Sequence, residues 1–219
     1  MDFDKVLFNM VEQQIRPWDV LNPKILDLFM ATPRHHFVDV SQQKLAYSDI
    51  ELPILESENC GQTMLFPRVE GRIMQAVDAD KKDNVLEIGT GYGFLTALLA
   101  SLSNHVTTVD IYPSVQEKAK QNLTAYNNID FQIGDGSQNW DDGKQYDVIV
   151  LGAASAELSE DYKNKLNLGG RLFTTVGESP AMVSQVITKV ADKEWEIETM
   201  FETVMPVLVN AKSKASFNF

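Results

Sequence analysis

Four residues in seven positions carry the clearest chemistry in this chain. Val85-Leu86-Glu87-Ile88-Gly89-Thr90-Gly91-Tyr92-Gly93 sets one acid and three glycines in the spacing Glu-x-Gly-x-Gly-x-Gly. Glycines at the end of a strand let the backbone turn sharply and pass close to a ligand. The dinucleotide fingerprint is G-x-G-x-x-G. Phe94 stands where its third glycine belongs, so that reading fails, and no Gly-Lys-Ser/Thr follows to make a P-loop. About 20 residues on, at the place where nucleotide-binding α/β folds carry an acid on a ribose, stands Asp110. Its carboxylate can accept from two neighbouring hydroxyls. Asp135, in Gly134-Asp135-Gly136, is a second acid that could accept from a ligand's donors. Taken singly, Asp110 could be a helix cap and Asp135 a turn residue. Three such sites at the ends of three successive strands are harder to assign to chance.

Those residues need a sheet to hold them. Residues 81–176 alternate short apolar runs with helical stretches. The strands expected are Asn84–Ile88, His105–Val109, Ile129–Ile133, Tyr146–Leu151 and Arg171–Val176. The helices expected are Phe94–Leu102, Pro113–Tyr126 with a capping box over Ser114–Glu117, and Ser155–Leu166 closed by Gly169-Gly170. Such alternation implies a doubly wound α/β fold with a mostly parallel sheet covered on both faces. Ligands then sit beyond the carboxyl ends of the strands. Residues 1–80 read as a helical extension: Val6, Met10, Val11 and Ile15 recur at helical spacing, Asn22 caps a helix at Pro23, and Val69–Val77 forms another. Residues 45–67 read as irregular. Residues 177–219 read as an antiparallel hairpin, Met182–Val190 and Trp195–Val209, followed by a loose tail. The whole is expected to be one domain.

The 219 residues hold 19 Lys and Arg against 31 Asp and Glu, a net charge of −12. That balance weighs against nucleic acid and against an anionic membrane surface as partners. The single cysteine, Cys60, excludes an intrachain disulfide. It lacks a visible activating partner and reads as a small buried residue. The N-terminal residues carry no signal-peptide pattern and no apolar run approaches a membrane span, so a cytoplasmic location is expected. Adjacent His35 and His36 point to different sides of any regular element and make a poor chelate, so no metal is expected.

The Glu-x-Gly-x-Gly-x-Gly run resembles motif I of the Rossmann-like S-adenosylmethionine methyltransferases. A closer resemblance covers nearly the whole chain. Met10–Arg16, Pro33-Arg34-His35-His36-Phe37-Val38, Ala46-Tyr47-Ser48-Asp49, Leu52-Pro53-Ile54, Gly61-Gln62-Thr63, Thr96–Ala100, Gly134-Asp135-Gly136 and Gly169-Gly170-Arg171-Leu172 are similar to the protein-L-isoaspartate O-methyltransferase family. Gly61-Gln62-Thr63 discriminates best. The resemblance implies a methyltransferase that uses S-adenosylmethionine, leaves S-adenosylhomocysteine, and esterifies the stray carboxylate of isoaspartyl residues in damaged proteins. It implies a cofactor site of Gln62, Thr63, Glu87, Gly89, Gly91, Gly93, Asp110, Ile111, Asp135 and Gly136. It implies a peptide groove bordered by Asp49, Leu52, Pro53, Ala153 and Ala154.

One departure bears on catalysis. The family pattern after Gly-Gln-Thr is Ile-Ser-x-Pro, with the serine hydroxyl beside the substrate carboxylate. Here Met64-Leu65-Phe66-Pro67 stands instead, and Leu65 offers no hydrogen bond. Methyl transfer to a carboxylate needs no general base, because that group is ionised at pH 7. Thr63 or backbone N–H groups could take over the lost contact. Two alternatives stay open: an apolar small-molecule acceptor, suited by Met64, Leu65, Phe66, Tyr92 and Phe94 at the site's mouth, or a cofactor-binding protein without catalysis. Arg34 and Arg68 are the expected source of a positive field for a carboxylate substrate.

Overall fold

The structure is a computed structural model that describes residues 2–54 and 61–212. Cys60 and the tail from residue 213 lie outside the described residues.

The N-terminal part begins with α1 (Phe3–Met10), capped by Asp2, whose side chain accepts from the Lys5 N–H. The chain continues through a wide π turn over Val11–Ile15 and ends at Arg16–Trp18. Helix α2 (Pro23–Ala31) starts at the proline with Asn22 as its cap, as the sequence predicts. Two two-residue strands, β1 (Leu52–Pro53) and β2 (Thr63–Met64), pair antiparallel inside the stretch read as irregular. Helix α3 (Pro67–Val77) follows directly.

The sheet comprises β3 (Asn84–Ile88), β4 (His105–Asp110), β5 (Ile129–Ile133), β6 (Tyr146–Ser155), β7 (Leu166–Glu178), β8 (Ala181–Ala191) and β9 (Glu194–Glu202). Their spatial order is β5-β4-β3-β6-β7-β8-β9. The first five are parallel; β8 and β9 turn back antiparallel. The strand order reverses between β3 and β6, which is where a crevice opens in such sheets. Helices α4 (Phe94–Leu102), α5 (Pro113–Asn122) and α6 (Glu160–Asn164) form three of the crossovers, and residues 134–145 join β5 to β6 without a helix.

Strand alternation divides the core in two. Val85, Val148 and Val150 point to the face shared with α1–α4, where Met10, Ile25, Phe29, Ile73 and Leu98 are buried. Leu86, Ile88, Ile149 and Leu151 point to the other face, with Tyr162 and Leu172. The N-terminal helices therefore share one core with the sheet.

Three expected elements differ. Helix α5 is capped by Tyr112 with Pro113 in its first position, so Ser114 lies inside the helix and makes no cap. It ends at Asn122 because Leu123 leaves the helical track to pack beneath Gly93. The expected helix Ser155–Leu166 shrinks to α6, because β6 runs on through Ser155. There the Ala154 N–H donates to the Pro206 carbonyl (2.7 Å) and the Ala154 carbonyl accepts from Leu208 (2.8 Å). Gly169-Gly170 sits inside β7 rather than at a helix end. A side chain at 170 would meet the backbone carbonyls of Asn167, Asp147 and Tyr146 at 2.9–3.2 Å. The last expected strand stops at Glu202, and residues 205–209 cross the end of β6 as a strap.

Candidate active site

The glycine turn leaves β3 at the crevice. Gly89, Gly91 and Gly93 all hold positive φ, at +98°, +53° and +90°. Asp110, at the end of β4, braces the turn: its Oδ2 accepts from the Gly91 N–H (3.0 Å) and its Oδ1 from Tyr112 (2.9 Å). Burial pushes its carboxyl upward against those hydrogen bonds.

A chamber opens beside this turn. It brings together most of the expected ligand residues: Gln62 and Thr63, Gly89 and Gly91, Asp110 and Ile111, Asp135 and Gly136, and Ala153. Asp135 is largely open to solvent. A small burial cost raises its carboxyl, and hydrogen bonds from Ser137 and Asn210 outweigh it, leaving it below the usual range. Sequence reasoning missed Ile54, Ser137, Leu208 and Val209, which also line the chamber. Leu208 and Val209 arrive on the strap more than a hundred residues after the glycines, and no local pattern marks them.

A second chamber shares Ile54, Thr63, Gly89, Gly91 and Gly152 with the first. Its other walls are Met64, Leu65, Glu70, Thr90, Tyr92, Gly93, Phe94 and Leu95. Thr63 thus stands at the junction, and its Oγ1 is buried without a hydrogen-bond partner among the described residues. Of the side chains expected at an apolar mouth, only Phe66 is absent from this lining; it stacks on Arg68. Gly93 borders this second chamber rather than the first.

Glu87 does not reach either chamber. Alternation along β3 turns it into the α1–α4 face, where it is fully buried. Its Oε2 accepts from the hydroxyls of Thr96 and Thr108 (2.6 Å each). Thr108 in turn contacts the Thr90 hydroxyl at 2.7 Å. Glu87 therefore supports the turn from below, and burial raises its carboxyl to about 8. Ala154 is also buried, its backbone held by the strap, and it lines neither chamber. Leu52 is buried opposite Met64, Pro53 is exposed beside it, and Asp49 is ion-paired with Arg68. The expected positive field is neutralised: Arg68 has Asp49, and Arg34 is paired with Glu70 at 0% exposure. His35 has a packing role. Its ring stacks on Phe3 at 4.0 Å, and its Nδ1 lies 2.5 Å from the Tyr47 hydroxyl. Among the described residues, no group of His, Cys, Asp and Glu is arranged to hold a metal ion.

A family model described as protein-L-isoaspartate(D-aspartate) O-methyltransferase matches residues 7–213. The chain belongs to this family. A protein-L-isoaspartate O-methyltransferase of Petrotoga mobilis is 34% identical over 201 residues, covering 90% of this chain and 92% of the relative. One from Protochlamydia amoebophila is 36% identical over 183 residues, covering 83% and 84%. A Plasmodium falciparum crystal structure described under the isoaspartate methyltransferase name, in complex with S-adenosyl-L-homocysteine, superposes with a TM-score of 0.78. It covers 95% of this chain and 98% of its own at 16% identity, which supports the fold alone. Leu65 lines the second chamber beside Thr63.

Proposed function

We propose that this chain binds S-adenosylmethionine in the first chamber and methylates the carboxylate of isoaspartyl residues in damaged peptides and proteins, in the cytoplasm. The observation that carries the reading is the Thr63 hydroxyl, orphaned at the junction of the two chambers. A buried donor without a partner costs about 1–3 kcal/mol, so a ligand oxygen that accepts from it gains what the free protein forgoes.

The chain's residues fit the cofactor. The positive φ of Gly89 and Gly91 keeps side chains out of the space beside the turn. Asp110, on the wall of the first chamber, is the acceptor for the ribose hydroxyls. Ile111, Val115 and Leu208 offer apolar surface to a flat base, with Asp135 at its polar rim. When bound, S-adenosylmethionine supplies an electrophilic methyl group and is left as S-adenosylhomocysteine.

The acceptor carboxylate is ionised at neutral pH and is itself the nucleophile. The protein's part is to hold it in place and keep water away. Thr63 donates to it, and Met64, Leu65 and Phe94 surround it with apolar surface. With Leu65 at the serine position one charge-assisted hydrogen bond is missing, worth about 1.5–3 kcal/mol. That corresponds to about ten- to a hundredfold in rate, a slower enzyme rather than an inert one.

Incubation with labelled S-adenosylmethionine and an isoaspartyl peptide, beside its aspartyl twin, tests the reading. Base-labile methyl ester on the isoaspartyl peptide alone is the expected result. Cofactor binding without transfer to either peptide overturns it. The apolar wall at Met64, Leu65, Phe94 and Leu95 favours one second reading, an apolar small-molecule acceptor. Transfer to such acceptors but to neither peptide would support it.

A further inference from the structure

Arg34 is one of the largest fully buried side chains among the described residues, and its contacts lead to three separate parts of the site. Its Nη2 donates to the carbonyl oxygen of Leu65 at 2.5 Å. Its Nη1 is ion-paired with the Glu70 carboxylate on α3. Its guanidinium carbon lies 5.0 Å from the centroid of the Phe94 ring, the first residue of the helix that the glycine turn opens. Leu65, Glu70 and Phe94 all line the second chamber. One cation therefore joins the strand that carries Thr63, the helix behind it, and the glycine turn.

We propose that Arg34 is a positioning residue for methyl transfer, clamping the acceptor-side strand at Leu65 to the glycine-turn helix at Phe94 so that the two chambers keep a fixed relation. The proposal rests on the function given above and adds the device that aligns its two halves. Three physical points support it. Strand β2 is only two residues long and, among the described residues, pairs only with the equally short β1, a connection too slight to define a position well. The Leu65 carbonyl is buried beside the reacting space, and a planar guanidinium serves it and Glu70 through a fixed fork, whereas an ammonium's donors rotate freely about a point charge. Stability alone does not explain a buried ion pair, because such pairs are commonly replaced by apolar residues of similar volume without loss of stability. Its two charges are better explained by the geometry they impose.

The test compares wild type with Arg34→Met/Glu70→Leu, which removes both charges together, and with Arg34→Lys, which keeps the charge but loses the fork. We measure kcat and KM for the isoaspartyl peptide and Kd for S-adenosylhomocysteine. We also follow amide exchange over residues 62–66 with and without S-adenosylhomocysteine. In the double variant kcat falls about ten- to a hundredfold, the scale expected for about 1 Å of misplacement. Its Kd stays within about threefold, and Arg34→Lys is intermediate in kcat. Unchanged kcat in a folded double variant overturns the proposal. So does a loss of S-adenosylhomocysteine affinity by the same factor as kcat, which would make Arg34 a simple support of the glycine turn. If the double variant does not fold, Arg34→Lys decides: a clear fall in kcat at constant Kd supports the clamp, and wild-type kcat overturns it. If wild type leaves the isoaspartyl peptide unmethylated, the functional reading fails, and exchange still judges the clamp. Protection of residues 62–66 on binding S-adenosylhomocysteine in wild type, lost in whichever charge variant folds, supports it; equal protection in the two overturns it.

Discussion

Two side chains decide most at the scale of single residues, Glu87 and Leu65. Glu87 carries a raised carboxyl, from 4.5 to about 8, through burial. Below about pH 4.5 it is protonated in folded and unfolded chains alike. As the pH rises toward 8 the unfolded chain gives up its proton and the folded chain keeps it, so stability declines across that window. Glu87→Gln removes this part of the slope. Tm measured between pH 4.5 and 8 should fall less in the variant, and parallel curves would refute the assignment. Burial also pushes the Glu70 carboxyl upward against the Arg34 beside it, so the variant keeps a slope of the same sign. Leu65→Ser should raise kcat/KM for the isoaspartyl peptide about tenfold or more. No gain would mean that the hydroxyl of Thr63 already satisfies the acceptor.

At the scale of elements, the glycine turn is the part most tightly specified. Gly93 has φ +90°, and an added Cβ would lie 2.6 Å from the Leu123 side chain. Gly93→Ala should cost about 1–3 kcal/mol through backbone strain and crowding, read as a shift in the urea midpoint. S-adenosylhomocysteine should then bind more weakly, because α4 can no longer start where it does. This turn was also the most legible element. Its spacing, the strand before it and the acid about 20 residues on are local signals, and Gly89, Gly91, Asp110 and Asp135 stand where they point. The misread elements have non-local causes. Ser155–Leu166 has helical composition, yet the strap that crosses Ala154 draws that backbone into β6. The side chain of Glu87 was misplaced because motif position says nothing of strand parity, which only the finished sheet shows. The strap residues Leu208 and Val209 could not be found from local pattern at all.

For the whole molecule, the net charge of −12 sets how substrates approach. With Arg34 and Arg68 both paired to acids, the cations expected near the site do not offset that field. An isoaspartyl peptide flanked by lysines should show a lower KM than one flanked by aspartates. The gap should narrow from low to physiological salt as screening grows; a salt-independent gap would indicate contacts at the flanks instead. Among the described residues no helix is long and apolar enough to cross a membrane.

The first chamber is walled by residues from Ile54 to Val209, and this has a kinetic consequence. Contacts so far apart in sequence close late in folding. A partly folded chain therefore has no complete pocket, and a ligand in it recognises the native state. S-adenosylhomocysteine should lower the unfolding rate in proportion to the stability it adds and leave the refolding rate nearly unchanged. Stopped-flow unfolding and refolding, with and without the ligand, would show it. A refolding rate that rises with ligand concentration would mean that the pocket forms before the chain has closed around it.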